Sequence, residues 1–379
     1  MSGLLPFVDP DGLREYSVVY TDRALNHMSR RFVGVMQDIQ SVLAEVHGAH
    51  VSALVPGSGT FGMEAVARQF ARGRRVLVVR NGWFSYRWSQ ILETCGLTQD
   101  VQVCTARPLT ADVDAAWVPA PVDEVVAAIR THRPAVVFAP HVETASGILL
   151  PDAYVQAVAR AAHEVGALMV LDGIASGAMW ADMQTLEVDV LLGAPQKGWS
   201  STPCCAIVCL SERARHALEQ TTSDSFACDL RKWVAIAEGY AQGQHAYHAT
   251  MPTDGIVRLR DAMLETRADG FALTRERQLA LGAQVRALLE ARGFSSVAAE
   301  GYKAPGVVVS HTTDPELQNG RAFVAQGMQA ASGVPLMCGE PEGFRTFRLG
   351  LFGLDKWRAV PHTADFVARV LDDMGYTAG

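Results

Sequence analysis

The chain has 379 residues, 49% hydrophobic and 19% charged, with 33 basic against 40 acidic residues and a net charge of −7. This balance excludes a disordered chain and gives no basic face for nucleic acid or an anionic membrane. The start, Met1 to Phe7, has neither a basic segment nor a long apolar stretch, and apolar runs elsewhere fall far short of a membrane span. A cytoplasmic protein without nucleic-acid or membrane partners is expected. Seven cysteines, an odd number without metal-ligand spacing, predict reduced thiols and no metal site; Cys204 and Cys205 are adjacent, an awkward geometry for a bond to each other.

In chain order, the first 30 or so residues are polar and irregular and read as an arm. From about 50 to 210, strand-like runs recur: Ser52–Val55, Arg75–Arg80, Val101–Cys104, Ala135–Pro140, Leu168–Asp172, Val188–Gly193 and Ala206–Cys209. Several are continuously apolar, as in a sheet covered on both faces. Amphipathic stretches such as Gly62–Ala71, Val122–Thr131 and Asp152–Val165 lie between them. The alternation predicts an α/β fold with a mostly parallel seven-stranded sheet and a site at the carboxyl ends of its strands. Residues 254–293 read as one or two long helices, Gly306–Ser310 and Phe347–Phe352 as strands of a smaller α+β domain, and His362–Met374 as a closing helix. The expected division is an arm over 1–30, a large domain over 31–255, and a linker helix with a small C-terminal domain over 256–379.

Two strand ends carry chemistry. Leu168–Leu171 runs directly into Asp172, and the next apolar run is followed by Ala194-Pro195-Gln196-Lys197. Lys197 is the first of only four lysines, and a lysine kept for solubility has no reason to follow a buried strand at this spacing. An amine and a carboxylate so placed fit a pyridoxal phosphate (PLP) site. The lysine would hold the cofactor aldehyde as a Schiff base, and the carboxylate would keep the pyridine nitrogen protonated. A buried carboxylate without a cation is costly, and the pyridinium supplies one. Upstream, Val55-Pro56-Gly57-Ser58-Gly59-Thr60 follows a strand and opens a helix, whose free N–H groups and dipole suit an anion. Ser58 and Thr60 add hydroxyls. The Gly-Lys-Ser/Thr ending of a Walker loop is missing and the glycine spacing is not that of a dinucleotide fingerprint; a plain capping turn is the alternative.

Together, six motifs in order resemble the class V aminotransferases of PLP fold type I, the alanine–glyoxylate, serine–glyoxylate and 2-aminoethylphosphonate group, from about residue 25 to the end. The resemblance implies that Ser58, Gly59 and Thr60 cradle the cofactor phosphate. In Asn81-Gly82-Trp83-Phe84-Ser85-Tyr86-Arg87 it implies that Phe84 stacks on the ring, with Trp83 one step away. In Leu171-Asp172-Gly173-Ile174 it puts Asp172 on the pyridinium nitrogen and Ile174 on the opposite ring face. Gln196 turns toward the phosphate, and Lys197 carries the aldehyde. His141-Val142-Glu143-Thr144-Ala145-Ser146-Gly147 is similar to a family strand end that often has a hydroxyl where Ala145 stands, so this is a departure. Tyr247 and Thr250, in Tyr247-His248-Ala249-Thr250-Met251-Pro252, match residues that reach a neighbouring subunit's phosphate, which implies a homodimer with shared active sites. Arg348 would bind a substrate carboxylate bidentately, and Arg345 would lie outside. Leu25–Phe32 resembles the family's pocket-shaping N-terminal segment only loosely.

The implied activity is ping-pong transfer of an amino group from a small amino acid, alanine or serine, to glyoxylate or pyruvate, with Lys197 and Asp172 as catalytic residues and no metal. The alternatives are 2-aminoethylphosphonate–pyruvate transamination, or a PLP lyase or desulfurase, for which Cys338 is the one late-loop candidate. A non-catalytic PLP-fold regulator is a different class; it would not require Lys197, Asp172 and Arg348 together.

Overall fold

The computed structural model describes residues 8–378. Seven strands form the main sheet: β1 (Val51–Pro56), β2 (Val76–Arg80), β3 (Val101–Thr105), β4 (Val136–Pro140), β5 (Leu168–Asp172), β6 (Val190–Gly193) and β7 (Cys205–Leu210), in the order β1-β7-β6-β5-β4-β2-β3. Every neighbouring pair is parallel except the two made by β7, which runs against both β6 and β1. The continuous apolar runs are the physical cause: β4 and β5 are buried at every position because helices cover both faces. The register pairs Asp172 with Pro140 on one side and with Leu192 on the other, so β4, β5 and β6 end level with one another.

The crossover helices include α2 (Gly59–Phe70), α3 (Trp83–Thr94), α4 (Val122–His132) and α5 (Asp152–Glu164). Before the sheet stands α1 (Arg30–His47), absent from the sequence-based expectation. Its apolar residues Phe32, Val35, Met36, Ile39, Val42, Leu43 and Val46 recur at helical spacing and are all buried, and the Ser29 side chain accepts the Arg31 N–H at its start. No helix or strand forms among the described residues before it. The stretch expected as one or two long helices is two, α8 (Thr253–Asp269) and α9 (Phe271–Glu290), after α6 (Glu212–Glu219) and α7 (Leu230–Ala241). The break falls at Gly270.

Beyond α9, three antiparallel strands, β8 (Val307–His311), β9 (Ala331–Ser332) and β10 (Thr346–Gly350), pair in the order β8-β10-β9. A last helix, α10 (Val360–Asp373), closes the chain. The apolar interior falls into two clusters, one on the main sheet and one made by α9, β8, β10 and α10. Among the described residues no helix is long and apolar enough to cross a membrane.

Helix α2 lies close against β7 and β6, and Gly62 makes this approach possible. A Cβ at Gly62 would come 2.5 Å from the Ala206 Cβ and 3.1 Å from Leu192. Gly62→Ala is expected to lower unfolding stability by about 1–3 kcal/mol, the usual cost of overpacking a tight core. Urea unfolding checks this; an unchanged midpoint would show that the helix can move away freely.

Candidate active site

Asp172 is the last residue of β5 and is 8% exposed. Its Oδ1 accepts the Ile174 N–H at 3.1 Å. Burial pushes its carboxyl up to about 6; the Ile174 bond opposes this, Glu143 adds to it, and Arg87 and Lys197 oppose it more weakly. No cationic side chain lies within 4 Å of it among the described residues. Behind it, the His141 Nδ1 meets the Ser176 hydroxyl at 2.7 Å, and burial pulls the His141 imidazole down to about 4, leaving it neutral at pH 7.

Lys197 stands in the turn that leaves β6. The turn is pinned at both ends: the Ser201 N–H donates to the Pro195 carbonyl at 3.0 Å, and the Ser200 hydroxyl accepts the Leu354 N–H at 2.7 Å. The Lys197 Nζ lies 5.2 Å from the centre of the Phe352 ring. Burial lowers its pKa, and the Arg348 charge lowers it further, against the pull of Asp172. Gln196, beside it, is exposed.

At the start of α2 the Ser58 hydroxyl makes no capping bond. Gly59 is held by space: a Cβ there would come 2.6 Å from the Ile174 Cδ1. The sequence-predicted residues Ile174 and Gly59 are thus in contact. Thr60 Oγ1 accepts a hydrogen bond from Arg87 Nη1 at 3.0 Å. The Arg87 guanidinium lies 5.3 Å from the Phe84 ring centre, and that of Arg348 lies 5.4 Å from the same ring. Arg348, on β10, donates from Nε to the Ser332 carbonyl at 2.7 Å and from Nη1 to the Thr144 carbonyl at 3.4 Å. It has no carboxylate within 4 Å among the described residues. Arg345 instead donates to the Thr313 carbonyl.

Two contributors escaped the sequence reading. Glu143 is fully buried, and its carboxylate accepts the N–H groups of Phe84 (3.2 Å), Ser85 (2.8 Å) and Ala145 (2.9 Å) and the Ser85 hydroxyl (2.7 Å). It caps α3 from another strand and so sets the backbone that carries Phe84. The signal was present, since an acidic residue in His141–Gly147, directly beyond the apolar run Ala135–Pro140, needs donors if it is buried. Arg87 is the other; its link from α3 to Thr60 has no local signature. Ala145, the departure from the family pattern, is fully buried with its methyl facing Gly82, where a glycine Cβ would come within 2.9 Å.

Tyr247 and Thr250 are exposed; their hydroxyls meet each other at 3.3 Å and make no hydrogen bond to the group around Lys197 within this chain. Cys338 is pushed up to about 12, first by burial and then by Glu143 and Glu340, so its thiol is a poor nucleophile.

The residues present suit PLP. Asp172 is a buried carboxylate lacking a cation, α2 opens with free N–H groups beside the Ser58 hydroxyl, which makes no capping bond, and the Arg87 guanidinium, and Lys197 is an amine held toward its neutral form. The family described as aminotransferase class-V matches residues 13–318. The chain belongs to this family. It is a PLP-dependent transaminase, with pyridoxal 5′-phosphate as cofactor.

The class V aminotransferase is 30% identical over 330 residues to an L-aspartate–glyoxylate aminotransferase of Paracoccus denitrificans, covering 84% of this chain and 76% of that protein. It is 28% identical to a 2-aminoethylphosphonate–pyruvate transaminase of Pseudomonas entomophila, covering 88% and 87%. A Synechococcus protein named soluble hydrogenase, small subunit, is 26% identical, covering 93% and 88%. The crystal structure of an alanine–glyoxylate aminotransferase from Nostoc sp. has the same fold, with a TM-score of 0.77 at 22% identity, covering 92% of this chain and 89% of that one.

The raised Asp172 pKa has a definite sign in the cofactor-free aminotransferase. An ordinary carboxyl near 3.8 in the unfolded chain and about 6 in the folded one means that stability falls as pH rises between these values. Asp172→Asn is therefore expected to stabilise the cofactor-free protein at pH 7 by on the order of 2–3 kcal/mol, with the gain vanishing toward pH 4. Denaturant unfolding across that range checks it; a pH-independent difference would refute the burial argument.

Proposed function

We propose that this aminotransferase moves the amino group of a small amino acid, alanine or serine, to glyoxylate or pyruvate in a ping-pong cycle. The observation that carries this is the pairing of a depressed amine, Lys197, with the Arg348 guanidinium, which has no carboxylate partner among the described residues. In this reading Ser58, Gly59, Thr60 and Gln196 hold the cofactor phosphate, Phe84 and Ile174 sandwich the ring, and Asp172 meets the pyridine nitrogen. The Ile174–Gly59 contact and the Arg87 bond to Thr60 support this arrangement, since they tie ring and phosphate positions together.

When bound, the cofactor supplies a carbonyl carbon that takes up the amino group and a ring that draws electrons from the substrate. Asp172, ionised beside a cation, holds a proton on the pyridine nitrogen. Arg348 binds the α-carboxylate; its bonds to the Ser332 and Thr144 carbonyls orient the fork. Lys197 Nζ takes the proton from the donor Cα and, in the second half-reaction, returns one to the Cα of the acceptor. A neutral amine is required for the first transfer, and burial with the nearby Arg348 charge favours it.

A second reading, 2-aminoethylphosphonate with pyruvate, draws support from the Pseudomonas entomophila relative. There Arg348 serves the alanine–pyruvate half-reaction.

The working unit in this proposal is a homodimer in which the partner subunit's Tyr247 and the partner subunit's Thr250 complete the phosphate site. Tyr247 is 54% exposed in the single chain, and arm residues Leu13 and Tyr16 are 71% and 88% exposed, apolar surface that a second copy would cover. The proposed division remains an arm over 1–30, of which residues 1–7 lie outside the described residues, a large domain over 31–255 and the remainder over 256–379; the separate cluster on α9, β8 and β10 supports it. A cytoplasmic location fits the free cysteines.

Lys197→Ala is expected to abolish turnover and retain cofactor binding through the phosphate site; full activity in this variant would overturn the assignment. Arg348→Lys should lower kcat/KM for amino acid and keto acid about 10- to 100-fold, as expected for loss of a bidentate charged hydrogen bond, with cofactor affinity unchanged. A panel of amino donors, scored by loss of the cofactor's absorbance band and by keto acid released from glyoxylate or pyruvate, identifies the substrates. Turnover of 2-aminoethylphosphonate alone would favour the second reading, and no spectral response to any donor would argue for a regulator.

A further inference from the structure

Cys204 and Cys205 lie where β7 begins, beside the turn that opens α2, and the chemistry above uses neither. Their Sγ atoms are 3.7 Å apart, although successive side chains of a regular strand point to opposite faces. Cys205 is fully buried and Cys204 partly so. The Cys205 thiol holds Cys204 below its ordinary value despite burial, whereas Cys204 and burial push Cys205 up. The pair thus divides into a more accessible, more acidic sulfur and a buried partner, as attacking and resolving thiols do.

The peptide unit joining the two cysteines contains the Cys204 carbonyl, and this carbonyl accepts the Gly57 N–H at 3.0 Å. Gly57 holds φ +123°, a conformation for glycine, and Ser58, Gly59 and Thr60 follow directly. On its other side Cys204 packs against the first turn of α8, where a Cβ on Gly255 would come 2.6 Å from the Cys204 Cβ.

We propose that Cys204 and Cys205 are a modification site: a low-molecular-weight disulfide converts them to a vicinal disulfide, which turns the Cys204 carbonyl away from Gly57 and loosens the phosphate cradle. The proposal rests on the reading of Ser58, Gly59 and Thr60 as that cradle. The Cys204 thiolate attacks one sulfur of the reagent, breaks its S–S bond and expels one thiolate. The Cys205 sulfur then attacks Cys204 of the mixed disulfide, forming the Cys204–Cys205 bond and expelling the second thiolate. The two cysteine protons end on the two released thiols; the pair loses two electrons and the reagent gains them. Neighbouring Cα atoms are about 3.8 Å apart, closer than the roughly 4.4–6.8 Å that ordinary disulfides span. The ring that closes must therefore distort the peptide unit it encloses, and a strained disulfide is readily reduced again.

The test starts from holoenzyme treated with oxidised glutathione and digested under acid. The peptide holding both residues should lose two hydrogens in mass and recover them with dithiothreitol. Affinity is then measured by absorbance for PLP and for pyridoxal, which lacks the phosphate. Oxidation should weaken PLP binding roughly tenfold, the scale of one or two hydrogen bonds, and leave pyridoxal binding unchanged. Cys204→Ser and Cys205→Ala should bind PLP as the reduced enzyme does and ignore the oxidant; the dithiothreitol reversal in the unsubstituted enzyme stands independently of how they fold. No ring closure, ring closure with unchanged PLP affinity, or equal weakening of PLP and pyridoxal would each overturn the proposal. Ser58→Ala and Thr60→Ala in untreated enzyme probe the cradle separately: undiminished PLP affinity there would sink the cradle reading whatever the cysteines do.

Discussion

The arrangement depends on one costly group, the Asp172 carboxylate at the buried end of β5. A strand covered on both faces delivers this oxygen pair to a place that water scarcely reaches, and among the described residues only the Ile174 N–H is supplied in return. Such a charge is unfavourable until a cation arrives. In the proposed arrangement the cofactor's protonated ring is that cation, so part of the binding free energy would be the relief of a strain already present in the protein. The same burial that penalises Asp172 depresses Lys197, so one environment pushes both groups toward their uncharged forms.

Around this pair the frame is held by groups that do no chemistry of their own. Glu143 closes the start of α3 and Arg87 ties α3 to α2, so Phe84 and Thr60 are held in one piece. His141, kept neutral, fixes the turn after Asp172 through Ser176 without adding charge to an already crowded site. These are hydrogen bonds across sequence separations that confer precision rather than reactivity.

Much of this was legible in the sequence, for identifiable reasons. The seven strands announced themselves because double burial leaves no polar face, and Asp172 and Lys197 stood out because a charged residue directly after such a run needs an explanation. Gly59 was readable as part of a turn, but its contact with Ile174 was not, since it joins residues from two separate crossovers. Glu143 and Arg87 were printed within recognised motifs, yet their partners lie on other elements, and no local periodicity encodes a cross-strand cap. Helix α1 was plain in its spacing of Phe32, Val35, Met36 and Ile39, and was hidden only by the irregular segment before it. The proposed place of Tyr247 and Thr250 at a second subunit's site lies beyond what the fold of one chain encodes.

The short path from Arg348 to Lys197 has a consequence for timing. Arg348 lies in the middle of β10, Phe352 under the lysine amine follows four residues later, and Leu354 is bonded to the lysine turn through Ser200. After burial, the Arg348 charge is the largest influence holding the amine toward its neutral form, and Arg87 acts in the same direction. In the proposed arrangement an anion seated on Arg348 would cancel that field, so occupancy of the carboxylate clamp would strengthen the base at the moment there is a proton to remove. On that proposal, molecules without a carboxylate would meet a weaker base, and selectivity would reside partly in proton affinity as well as in fit.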